Sequence, residues 1–76
     1  MAPGRMPMLK ARDVVRFLIR LGFRKTRQVG SHAFFEHPNG RVTTVSIHGG
    51  EDIGRGLLRK ILRDIEVTPD ELSEFL

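Results

Sequence analysis

A chain of 76 residues makes one domain, and a domain this small buries a modest share of its surface. Thirteen Lys+Arg stand against nine Asp+Glu, a formal net charge of +4. Most of the basic residues are arginine, whose planar donors meet phosphate oxygens two at a time. The absence of cysteine excludes a disulfide scaffold and points to the cytoplasm, and no apolar run approaches the length of a bilayer span. The charge suits a nucleic-acid partner, and it equally suits a solvated surface.

Residues 1–7 hold two prolines and a glycine but no apolar core of a signal peptide, and read as a flexible arm ahead of a domain over 8–76. From Lys10 to Leu21 the pattern is helical: Val14, Leu18 and Leu21 recur at helix spacing, widened by Val15 and Phe17. Arg12, Arg16 and Arg20 make one basic row on the outer side of that helix. Gly22 is placed as a left-handed cap, with Phe23 folding back on the last turn.

Three strands follow, over 24–29, 31–37 and 41–47. Pro38-Asn39-Gly40 is a tight-turn signal between the last two, and the third strand is rich in β-branched residues. Residues 48–52 read as a loop and 55–64 as a helix. Its apolar stripe is Leu58, Ile61, Leu62 and Ile65, and Arg55, Arg59 and Arg63 form a second basic row. Thr68-Pro69-Asp70-Glu71 carries the cap, first-turn proline and capping-box acid of a last short helix over 69–75. Five of the nine acids, Asp64, Glu66, Asp70, Glu71 and Glu74, crowd this end and leave the rest more basic.

The order α-β-β-β-α predicts an α+β two-layer sandwich, with helices on one face of a three-stranded antiparallel sheet and the other face open. Strand alternation puts Ala33 and Phe35 on one face and His32, Phe34 and Glu36 on the other. In the third strand Val45 and Ile47 suit the covered side. His48 then falls on the open side with His32.

Gly30-Ser31-His32, the turn His37-Pro38-Asn39-Gly40, the loop His48-Gly49-Gly50 and the later run Gly56-Leu57-Leu58-Arg59-Lys60-Ile61-Leu62 occur in this order. With Leu21-Gly22-Phe23 and Arg27-Gln28 ahead of them, the chain resembles the HicA-type toxins over nearly all of Met8 to Ile65. The resemblance implies a fold like the double-stranded-RNA-binding domain. It also implies an endoribonuclease that cleaves mRNA, and a HicB-like antitoxin that blocks it. In that family the histidine of the Gly-Ser-His motif carries the activity, and the matching position is His32. Two positions depart from the pattern: Glu51 stands where many relatives have lysine, and Ala33 where many have a polar residue or a second histidine.

RNA can be cut without metal or cofactor, because an imidazole with an ordinary pKa of about 6.5 can take or give a proton near neutrality. His32 is the candidate acid/base. Gly30 would let a phosphate approach the backbone, and Ser31 would hydrogen-bond it. Lys25 and Arg27, on the strand leading into the motif, and His48 complete the candidate substrate contacts. The arginine rows would meet phosphates or simply face water, and Phe34 would stack on a base or join the core. The three histidines do not have a metal-ligand spacing, so no metal is expected. A small basic RNA-binding module without catalysis is the alternative.

Overall fold

The computed structural model describes residues 8–47 and 52–76. The elements run β1 (Leu9–Lys10), α1 (Ala11–Arg20), β2 (Arg24–Val29), β3 (His32–Glu36), β4 (Val42–Ser46), β5 (Asp52–Ile53), α2 (Arg55–Ile65) and α3 (Pro69–Phe75). Strands β2, β3 and β4 form an antiparallel meander in that order, with α1 and α2 packed on one side of it. The expected α+β architecture is therefore present.

The expected loop over 48–52 needs one correction. Asp52 belongs to β5, which pairs antiparallel with β1, Leu9 opposite Ile53 and Lys10 opposite Asp52. Lys10 Nζ also meets Asp52 Oδ1 at 2.9 Å. A ladder of two residues has no periodicity to read, so only the meeting of distant segments reveals it. What holds it in place is burial of Leu9 and Ile53. The arm over 1–7 and the loop residues 48–51, His48 and Glu51 among them, lie outside the described residues.

Helix α1 buries Ala11, Val14, Phe17 and Leu18. At 3.6 residues per turn, Arg12, Arg16 and Arg20 fall on the opposite side of the cylinder and are exposed. The helix ends in a Schellman motif: Phe23 N donates to Leu18 O at 2.9 Å and Gly22 N to Ile19 O at 3.0 Å. Gly22 has φ +101°, and a Cβ there would sit 3.1 Å from His37 Nε2. Glycine at this position thus serves both the cap and the close approach of the β3–β4 turn.

That turn is bound to the rest of the fold by side chains. His37 Nδ1 accepts from Asn39 N at 3.1 Å, which leaves Nε2 to donate to Leu21 O, also 3.1 Å away. The ring stands edge-on to Phe23, centroids 5.1 Å apart. Arg41 lies over the Phe23 ring at 5.2 Å and donates from Nη1 to Ile65 O, a carbonyl at the end of α2. A cation at a helix C-terminus is favoured by the helix dipole.

The core runs between sheet and helices: Ala33, Phe35 and Val45 from the strands, Leu58, Ile61, Leu62 and Ile65 from α2. Thr43, the buried polar residue there, donates its hydroxyl to Asp64 at 3.1 Å, and Lys60 pairs with the same carboxylate oxygen at 2.9 Å. Helix α3 starts as its capping box predicts, with Glu71 N donating to Thr68 Oγ1 and Thr68 N to Glu71 Oε1. It docks by burying Leu72 and by bringing Phe75 to 5.1 Å from Phe17, whereas Leu76 is exposed.

Candidate active site

Register fixes which side chains share the open face, because residues directly opposite one another in a sheet point the same way. Ala33 pairs with Val45 and Phe35 with Thr43, and all four are buried under the helices. The alternate rows look outward: Val29, His32 and Ser46; then Arg27, Phe34 and Thr44; then Arg24, Glu36 and Val42. His32 stands at one end of this face and is exposed. Among the described residues nothing hydrogen-bonds its ring, in contrast to the doubly bound His37.

The turn that presents His32 is made by the two residues before it. Val29 pairs with His32, so Gly30 and Ser31 form a two-residue hairpin loop. Gly30 has φ +59°, while Ser31 is not among the residues of positive φ, the pattern of a type II′ turn with glycine first. A Cβ on Gly30 would meet nothing within 4 Å, so backbone conformation, not space, demands glycine. Ser31 is half-buried, and its carbonyl accepts from Ile47 N at 2.6 Å, continuing the β3–β4 ladder up to the turn.

The two basic residues expected beside His32 part company. Strict alternation along β2 would put Lys25, Arg27 and Val29 on one face. A β-bulge between Lys25 and Arg27 breaks that alternation: Lys25 pairs with Phe35, and Arg27 with Phe34. Lys25 thereby joins the row whose other members face the helices, and its Nζ donates to Gln28 Oε1 at 3.0 Å. Arg24 takes its place on the open side, opposite Glu36. In a regular strand the odd spacing of Arg24 from Arg27 would put the two on opposite faces, so sequence alternation alone does not mark Arg24 for this surface.

Arg27 is exposed, and it lies against an aromatic neighbour. Its guanidinium carbon lies 4.7 Å from the centre of the Phe34 ring, over a half-buried aromatic surface. The arginine row of α1 belongs to the helical layer, on the far side from the open face. Arg55, Arg59 and Arg63 are exposed along the flank of α2, in that same layer. Of the described arginines, therefore, it is Arg24 and Arg27 that register with the His32 face.

A cleft of about 200 Å³ opens at the other end of the β2–β3 pair, lined by Arg24, Thr26, Glu36, His37 and Pro38. It does not include His32, which sits on an open surface that a polymer can reach without entering a cavity. Among the described residues no three of His, Cys, Asp or Glu gather as metal ligands. Among them, too, no helix is long and apolar enough to cross a membrane.

No curated protein matches the chain significantly. The profile of a family described as the HicA toxin of bacterial toxin-antitoxin matches residues 11–67, about three quarters of the chain. That span takes in α1, the whole meander with its Gly30-Ser31-His32 turn, and α2. The chain belongs to the HicA toxin family of bacterial toxin-antitoxin systems.

Proposed function

We propose that this toxin is an endoribonuclease that cleaves mRNA, with His32 as its acid/base residue and no metal in the reaction. The observation that carries the reading is the state of His32: exposed, unbonded among the described residues, and on the open sheet face that also bears Arg24 and Arg27. His32 takes the proton of a ribose 2′-hydroxyl. That oxygen bonds to the adjacent phosphorus and the bond from phosphorus to the 5′-oxygen breaks. The products are a 2′,3′-cyclic phosphate and a 5′-hydroxyl: the leaving oxygen takes a proton from water, and the His32 imidazolium returns its proton to solvent. Arg27, one row from His32, supplies the charge that offsets the build-up of negative charge on phosphorus, and Arg24, two rows away, holds the backbone farther along.

Family membership supports a HicB-type antitoxin as the partner. The open face offers it exposed Val29 and Val42 beside the two arginines, so an acidic, partly apolar surface would cover His32 and silence it. Gly30 serves the reaction through the turn that aims His32. Ser31 and His48 stand as candidate phosphate contacts. Lys25, in the Phe35 row, stands in this reading as a peripheral candidate contact.

Inducible expression of the wild type and of His32→Ala, with growth and RNA integrity followed together, tests this. The expected result is arrest with fragmented message in the first and neither in the second. Wild type that binds RNA but leaves it intact would instead make the protein a binding module. Equal cleavage by both proteins would remove His32 from the mechanism.

A further inference from the structure

The open face carries one arrangement that cleavage chemistry alone does not require, the layering of Arg27 on Phe34. We propose that this pair is a stacking shelf for one unpaired nucleobase, the base beside the phosphodiester presented to His32. The inference rests on the reading of this face as the RNA-cleaving surface and adds to it a positioning element and a requirement for single-stranded RNA.

Three features carry it. An arginine that served only as a mobile phosphate contact needs no aromatic neighbour, but here the guanidinium carbon of exposed Arg27 lies over a ring at 4.7 Å. Arg27 is exposed, so its guanidinium is open to a base as well as to Phe34, and the faces of a guanidinium are weakly hydrated and stack on aromatic systems. Secondly, no carboxylate pairs with Arg27 among the described residues, so its charge and donors are unclaimed and suit a polyanion. Its row is completed by Thr44, a neutral and half-buried residue that leaves the shelf open on that side.

The third feature is spacing. Phe34 and His32 point the same way two residues apart in β3, about 7 Å along the strand, on the order of one nucleotide in an extended chain. A base seated on the shelf thus puts a neighbouring phosphodiester within reach of the imidazole. A duplex cannot use the shelf, because its bases are already stacked on one another. The fold class resembles one that reads duplex RNA by shape, yet the face bearing His32 is built for a strand whose bases are free.

A double-mutant cycle between protein and RNA tests the shelf. The protein is His32→Ala, which leaves the RNA uncut, and the probes are short single-stranded oligoribonucleotides with one abasic ribose moved along the chain. Loss of the base at one position is expected to weaken binding about tenfold, the order of one base–side-chain stack. Adding Arg27→Lys keeps the charge but removes the plane, and adding Phe34→Leu removes the support. In both, the penalty for the abasic site should shrink to about twofold or less. Thermal melts confirm that each variant is folded. An abasic penalty that persists undiminished in both variants, the lack of any sensitive position, or failure to bind the oligonucleotide overturns the shelf. If the coupling is present but wild type leaves RNA intact, the shelf stands and the cleavage reading fails. If wild type cuts RNA with no coupling, the reverse holds.

Discussion

His37 Nε2 lies 3.1 Å from the carbonyl oxygen of Leu21, tying the β3–β4 turn to the end of α1. Its other ring nitrogen is taken up by Asn39 N, and its ring edge by Phe23. Five residues earlier, His32 has none of these ties. One imidazole is bound into the fold, and the other is exposed on the open face.

That division is measurable. His37→Ala removes two hydrogen bonds and an aromatic contact and should cost about 1–3 kcal/mol of unfolding free energy. The folded fraction should keep its activity. His32→Ala should abolish cleavage and change stability by no more than about 0.5 kcal/mol, as exposed substitutions do. Denaturant unfolding beside a cleavage assay reads both, and a His32→Ala protein that loses several kcal/mol would show that this ring is structural.

The bulge in β2 makes a prediction about salt. Arg24→Ala and Arg27→Ala should each lower the slope of log K against log salt for single-stranded RNA by about 0.7, one phosphate contact apiece. Lys25→Ala and Arg16→Ala should leave the slope unchanged, since Lys25 pairs with Phe35 and Arg16 lies on the outer side of α1. Fluorescence anisotropy across a salt series decides it. Equal effects at Lys25 and Arg27 would mean that the RNA path is not the open face.

Gly30 is held at φ +59° with open space around its α-carbon. Gly30→Ala should therefore fold, at a cost of about 1–2 kcal/mol from backbone strain. Because the strain falls on the turn next to His32, cleavage should drop even under conditions where the variant is fully folded. The test is kcat for RNA cleavage measured well below the melting temperature, and a kcat equal to wild type would separate the turn from catalysis.

Helix α3 begins after the end of the family match at residue 67, yet it plugs the core. Leu72 is buried, and Phe75 packs on Phe17. Leu72→Ala should cost about 2–4 kcal/mol, the usual range for a buried leucine. In a domain of this size that lowers the melting temperature by roughly 4–8 °C per kcal/mol. A melting temperature unchanged by Leu72→Ala would mean that α3 is dispensable for the fold.

Which side chains share the open face is largely legible in the sequence. Alternation placed His32 and Phe34 opposite Ala33 and Phe35, because β3 and β4 run without a bulge and one side is apolar. Gly22 as the cap of α1 and Thr68-Pro69-Asp70-Glu71 as the start of α3 were equally readable, since both depend on local backbone chemistry. The grouping of Lys25 with Arg27 was not. A bulge adds one residue to one strand, its cause lies in pairing with the neighbour, and no residue type marks Thr26 as the extra one. The β1–β5 ladder is hidden for a related reason, its two strands standing 42 residues apart in sequence.

By itself, then, the amino-acid order determined what local rules govern: the helices and their ends, the hairpin turns, the sides of an unbroken strand and the family to which the motifs point. Only the tertiary structure decided which cations stand with His32, that Arg27 lies on Phe34, and that the arginine rows of the helices belong to the other layer. Those outcomes depend on register and on how layers stack, and such relations exist between segments rather than within any one of them.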